Sequence, residues 1–216
     1  MVDVNAQIAA VDRAVRTDAL DGAETRVQTL AQTYPSPLDD VWDAVTSADR
    51  IARWFLPVSG ELTLGGRYQL EGNAAGEVLA CTPPADGSAG YRATWEYGGG
   101  VSWIEIALRS EGSDTTRLEL IHTARTADLP PGFWELYGPG ATGVGWDGGL
   151  LGLALHLAGS GDVTPETAEA WAFTDEGRSF YRAAADGWAR AQVADGGDAV
   201  AAQASADATY GFYTGT

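Results

Sequence analysis

The sequence contains no lysine, and its 13 arginines face 30 carboxylates for a formal charge of −17. A field of that sign repels phosphate backbones and anionic bilayer surfaces, so no nucleic acid and no membrane is expected as a partner. An acid excess without lysine also fits a high-GC genome or a salty cytoplasm. Cysteine is nearly absent: Cys81 stands alone, which excludes an internal disulfide and a thiolate zinc cluster and favours a reducing compartment. A small buried or edge thiol is its expected role. The two histidines, His122 and His156, form no metal-ligand spacing with each other or with Cys81, so neither a metal nor a cofactor is expected. Long apolar runs are missing, since the longest, Gly149 to Gly159, falls short of the roughly 20 residues that a bilayer span needs. The opening stretch MVDVNAQIAAVDRAV carries acids where a signal peptide carries bases. These absences predict a cytoplasmic protein. What is present is ample core material: 216 residues, 45% hydrophobic and 10% aromatic, enough for one domain with appendages.

Along the chain, Ile8, Val11 and Val15 stand at helical spacing and predict a short amphipathic helix over residues 4 to 16, broken at Asp21-Gly22. TRVQTLAQTYP reads as a first strand ending at Pro35. In SPLDDVWDAVTSADRIARWFLP, Ser36 is placed as N-cap with Pro37 at the first helical position. A second cap at Ser47 precedes Ile51, Trp54 and Phe55, giving a helical hairpin that ends at Pro57. From Glu61 to Arg125 the period changes to two, and six short strands separated by turn residues predict an antiparallel meander. In its last strand Thr116, Leu118, Leu120 and His122 share one face. In an earlier one Tyr91, Ala93, Trp95 and Tyr97 do so, with Arg92, Thr94 and Glu96 opposite.

A helix is expected from about Thr142 to Ala158. Leu150, Leu153 and Leu157 fall within roughly 40° of Trp146 at about 100° per residue, an apolar stripe that must lie on the meander. Beyond Gly161, Thr164-Pro165 and Thr174 start two further helices, and an Ala-rich segment runs from Asp198 to the aromatics Tyr210, Phe212 and Tyr213. Residues 162–216 form a helical appendage whose aromatics need a partner surface.

GVGWDG, Gly143 to Gly148, matches the spacing of a dinucleotide-binding turn. The frame is wrong: no strand feeds the motif, and SGDVTPET stands where the ribose-binding acid belongs. Close packing explains the glycines better, with Gly145, Gly148, Gly149 and Gly152 letting a long helix approach a curved sheet.

SPLDDVWDAVTSADRIARWF, LGGRYQLEG, GEVLACTPP, YRATWEY, TRLELIH and GVGWDGGLLGLALHL occur in an order that resembles the START-like, or SRPBCC, helix-grip superfamily, specifically the branch named for the heat-shock-protein-90 ATPase activator homologue. The resemblance covers about Gln28 to Ala158. It implies an α+β helix-grip fold, a curved antiparallel sheet of six or seven strands wrapped around a long C-terminal helix. It also implies a cavity that in many members holds a small apolar molecule. Relatives span lipid and hormone carriers, aromatic polyketide cyclases, an antibiotic self-resistance protein and a co-chaperone, so fold alone does not fix the activity. The chain then divides into an N-terminal helical extension (1–24), the START-like domain (25–161) and a helical C-terminal extension (162–216).

His122 faces the helix side of its strand, where an imidazole would anchor a ligand oxygen, move a proton, or simply sit hydrogen-bonded in the wall. His156 reads as a helix-flank residue. No serine stands in a nucleophile frame. Glu96, Glu105 and Glu119 belong to a solvated charge ladder with Arg92 and Arg117. Phe133, Trp134 and Tyr137, in the connection before the long helix, form either a lid or a fixed plug. The expected ligand-binding set is Tyr68, Leu70, Tyr91, Trp95, Ile104, Ile106, His122, Trp134, Trp146, Leu150 and Leu153, with His122 the one catalytic candidate. The sequence thus predicts a binder of a small apolar or aromatic ligand. A cyclase, dehydratase or hydrolase using His122 and a co-chaperone-like protein-binding module are the alternatives, and the C-terminal helices are a possible homodimer contact.

Overall fold

A computed structural model describes residues 3–161 and 163–216. Residues 1 and 2, in the expected N-terminal extension, and residue 162, at the start of the expected C-terminal one, lie outside the described residues. Eight strands form one antiparallel sheet in the order β1-β2-β8-β7-β6-β5-β4-β3. They are β1 (Val11–Leu20), β2 (Ala23–Tyr34), β3 (Val58–Gly60), β4 (Arg67–Leu70), β5 (Ala75–Ala85), β6 (Ser88–Tyr97), β7 (Gly100–Gly112) and β8 (Thr115–Arg125).

The helix expected over residues 4 to 16 is corrected. It is confined to α1 (Val4–Ala10), and the chain continues as β1, an eighth strand beyond the expected six or seven. Val11 and Val15 satisfy helical spacing, but an even separation also puts both on one strand face, and both are buried there. Pairing with β2 from Val11 opposite Gln32 to Leu20 opposite Ala23 decides between the two. Asp21-Gly22 is the two-residue turn of this hairpin: both residues have positive φ, 52° and 80°, as the turn that matches strand twist requires.

α2 (Leu38–Thr46) and α3 (Ala48–Ile51) make the expected hairpin. Pro37 itself occupies the N-cap position of α2, and Ser36 donates its hydroxyl to the Asp40 carboxylate instead of capping. The long helix α5 (Gly140–Leu157) follows the short α4 (Phe133–Tyr137) and crosses the concave face of the sheet. The Tyr34 hydroxyl holds it there by donating to the Leu150 carbonyl at 3.2 Å.

The C-terminal segment folds into α6 (Pro165–Ala172), α7 (Asp175–Ala194) and α8 (Ala199–Thr214), with side chains of Thr164, Thr174 and Asp198 capping the three N-termini. Phe180, Ala184, Ala185 and Trp188 of α7 are essentially fully buried, against α5, β1 and α8. Phe180, Trp188 and Tyr213 therefore find their surface within the chain, whereas Phe173 and Phe212 stay exposed. α7 and α8 bury the outer face of α5, which explains why that helix is apolar nearly all round.

Gly143 to Gly148 lies inside α5, so the glycine spacing belongs to a helix and not to a turn. The glycines relieve contacts with other helices and loops more than with the sheet. A Cβ on Gly152 would stand 2.2 Å from the Trp54 carbonyl oxygen, and one on Gly143 would strike the Trp188 indole. Gly149 faces Phe55, Gly145 the Tyr213 hydroxyl, and Gly148 open space.

Candidate functional site

Between the concave sheet and α5 the side chains leave a cavity of about 110 Å³, open on one side. The sheet supplies Tyr68, Leu70, Tyr91, Ala93, Trp95, Ile104, Ile106, Leu118 and Leu120. The helix supplies Trp146, Gly149, Leu150 and Leu153. The α2–α3 hairpin and the segment after it add Val45, Ile51, Trp54 and Phe55. The deep wall is buried, whereas Ile51, Trp54, Phe55, Leu62, Tyr91 and Trp95 remain partly exposed and mark the mouth.

Aromatic rings shape one end. Phe55 stacks on Trp146 at a 17° interplanar angle and 6.2 Å between centroids, and Trp95 meets Trp146 edge-on at 4.9 Å. At the other end a β-bulge resets the face of β5. Val78 pairs with Ala93 but Ala80 pairs with Arg92, which brings Cys81 opposite Tyr91 and turns it toward the cavity that Tyr91 already lines. Cys81 is thus a wall residue of this space and only partly exposed.

Of the residues expected to bind ligand, Tyr68, Leu70, Tyr91, Trp95, Ile104, Ile106, Trp146, Leu150 and Leu153 line the cavity. His122 and Trp134 do not. His122 is buried on the inward face, as its strand parity predicts, but Trp146 stands between it and the hollow, with ring centroids 5.7 Å apart. Its Nδ1 lies 3.2 Å from Gln28 Oε1 and its Nε2 lies 2.9 Å from Ser102 Oγ. Gln28 in turn accepts from the Thr142 hydroxyl and donates to the Pro139 carbonyl. The carboxamide oxygen thus accepts Nδ1–H, Nε2 accepts the serine hydroxyl, and the imidazole is neutral. Burial lowers its pKa from 6.5 to about 4. This network pins the N-terminus of α5 to β2, β8 and β7.

Trp134 lies beneath the Arg26 guanidinium, 5.1 Å from the ring centroid. The rest of α4 docks on α8: Tyr137 packs edge-on against Phe212, and the Thr209 hydroxyl donates to the Tyr137 carbonyl. The Phe133, Trp134 and Tyr137 connection is therefore a docked segment beside the domain and no lid over the cavity, because α8 offers it both rings and hydrogen-bond donors.

Ser102 beside His122 is the pairing that sequence reasoning missed. Its signal was available only through register, since Trp95 pairs with Ser102 and Ile104 with His122 across neighbouring strands. Glu96 forms its ion pair with Arg67, at 2.7 Å, not with Arg92. His156 accepts from Arg50 Nε on the flank of α5, at 3.0 Å.

A curved antiparallel sheet gripping one long helix, with an apolar hollow between them, defines a helix-grip protein of the START-like class. The chain belongs to the family described as activator of Hsp90 ATPase homolog 1-like protein, which it matches over residues 35–147. Among solved structures it is similar to CalU16 from Micromonospora echinospora. The crystal structure of CalU16 is 32% identical with a TM-score of 0.60, covering 84% of this chain and 98% of that one. The solution structure of CalU16 gives 30% identity and a TM-score of 0.67, covering 86% and 97%. MLL2253 from Mesorhizobium loti, 18% identical with a TM-score of 0.52 over 62% of this chain and 98% of its own, shares the fold. No curated protein matches the sequence. Among the described residues no helix is long and apolar enough to cross a membrane.

Proposed function

We propose that this protein takes up a small apolar or aromatic molecule between the sheet and α5. The observation that carries the reading is a hollow with almost entirely apolar walls and an open side, the usual character of a small-molecule site. Its volume of about 110 Å³ is near that of an engineered apolar cavity of about 150 Å³ that binds benzene. One ring fills it, and a larger molecule projects through the mouth. The test is a thermal-shift and native mass-spectrometry screen with indane, naphthalene, fatty acids and polyketides. A rise in melting temperature with one-to-one adducts is expected; no stabilisation by any of them overturns the reading. Cytoplasmic residence belongs to the same proposal and is supported by the single free thiol.

A second reading, ester hydrolysis, is favoured by one observation: Ser102, His122 and Gln28 are spaced as nucleophile, base and orienting group. In such a step Ser102 Oγ adds to the ester carbonyl as its proton passes to His122 Nε2, which then protonates the departing alcohol; water releases the acyl group. Two features make it the weaker reading. A base held near 4 is a poor proton acceptor, and neither Ser102 nor His122 reaches the cavity wall. Turnover of p-nitrophenyl acetate that disappears in a folded Ser102→Ala variant would reverse this order.

A further inference from the structure

We infer that Tyr91 is the polar anchor of the cavity and that the molecule held there is a flat, neutral compound carrying a hydrogen-bond acceptor, a ketone, quinone or ether oxygen, at one edge. This rests on the binding reading above and specifies its ligand.

The polar groups of the wall are few, and three are committed within the fold. The Thr46 hydroxyl donates to the Trp42 carbonyl, Tyr68 to the Thr94 carbonyl at 2.6 Å, and Trp54 Nε1 to the Ala44 carbonyl at 2.9 Å. Trp146 Nε1 is enclosed and has no partner. The Tyr91 hydroxyl has no hydrogen-bond partner among the described residues, although its ring is part of the cavity wall. Tyr91 is only partly buried and stands at the mouth, so this hydroxyl is uncommitted within the fold and open to a molecule that enters the cavity.

The chemistry of that partner follows from the surroundings. Desolvation, aided by the neighbouring Tyr68, pushes the Tyr91 phenol upward, so it keeps its proton and offers a donor. No arginine lines the cavity and the chain carries −17, so a carboxylate or phosphate finds no counter-charge there. A neutral acceptor remains. Trp95 lies on the same face of β6 four residues on, roughly 13 Å along the strand. The ligand therefore lies along β6, its apolar body toward the Phe55, Trp95 and Trp146 rings and its oxygen toward Tyr91 and Cys81.

The experiment is calorimetric titration of the full chain with indane and with 1-indanone, one skeleton without and with the carbonyl, in the wild type and in Tyr91→Phe. The wild type is expected to prefer 1-indanone by about fivefold to tenfold, the worth of one net hydrogen bond. In Tyr91→Phe that preference disappears, and 1-indanone falls to the affinity of indane measured in the same variant. The bound carbonyl stretch, shifted to lower frequency in the wild type and not in the variant, distinguishes a hydrogen bond from lost packing. The indole N–H of Trp95 is another wall donor without a partner among the described residues. Trp95→Phe is therefore the control, expected to weaken both compounds alike. An unchanged preference in Tyr91→Phe, or its loss in Trp95→Phe, overturns the assignment while indane binding upholds the cavity. Failure of both compounds to bind the wild type overturns the cavity reading and the anchor with it.

Discussion

On its outer face α5 meets α7 and α8 in direct contact, whereas on its inner face it meets the sheet across a hollow. The outer contact is both close and polar at its centre. Asp147 is 1% exposed and pairs with Arg13 of β1 at 2.6 Å, and it also accepts from the Trp188 indole of α7 at 2.9 Å. Gly143 makes room for that indole. The inner contact is apolar, ringed by aromatics and incompletely filled. One helix thus carries a face that secures the fold and a face that leaves space. The outer face lets the inner one stay hollow, since a void forgoes the dispersion contacts that close packing would supply.

The strongest way to break this contrast is to damage the secured face. Trp188→Ala empties a fully buried site, and Asp147→Ala strands the Arg13 guanidinium, itself 6% exposed on its side chain. Each is expected to cost about 3–5 kcal/mol in urea unfolding. Indane affinity of the fraction that remains folded is expected to stay within a factor of two to three, measured well below the unfolding midpoint; a large loss would mean the two faces are not separable.

Acid probes the boundary between the faces. His122 is held neutral, its pKa lowered from 6.5 to about 4 by burial. A depressed folded value means the stabilisation is complete above about 6.5 and is lost as pH falls toward 4, because the unfolded chain takes up the proton first. The wild type should therefore lose on the order of 3 kcal/mol more than His122→Gln between those pH values, read from denaturation curves. Parallel pH curves for the two proteins would show that the imidazole does not titrate as its surroundings demand.

A smaller effect is expected at the mouth. Gly152→Ala forces a Cβ onto the Trp54 carbonyl and should cost about 1–3 kcal/mol while shifting Trp54, visible as a change in tryptophan fluorescence. The smallest change in stability sharpens the contrast most: Ala93→Met extends into the hollow, so it should alter stability by less than about 1 kcal/mol yet abolish indane binding. A substantial destabilisation there would mean the site is already packed.

Strand parity and helical periodicity made the inner face legible. The alternation in TRLELIH turned Leu118, Leu120 and His122 inward, and the Trp146, Leu150 and Leu153 stripe marked the side of α5 that meets the sheet. The outer face was not legible. Arg13 and Asp147 lie 134 positions apart, and neither carries a local sign of the other. Residues 11–16 read as helix because the valine spacing suits helix and strand alike, although Asp21-Gly22, a strong hairpin signal, was available to settle it. Cys81 and Tyr91 share the cavity only through the bulge between Val78 and Ala80, and a bulge shifts facing in a way that alternation along one strand does not report. His122 was correctly turned inward, yet which ring would stand in front of it depended on where Trp146 came to rest.

Every other expectation rests on the hollow, and crystals of the protein pressurised with xenon test it most directly. Xenon should appear in the space bounded by Trp146, Trp95, Ile106 and Leu150, with the surrounding side chains unmoved. A map in which that space admits no xenon because the protein's own side chains occupy it would contradict the account.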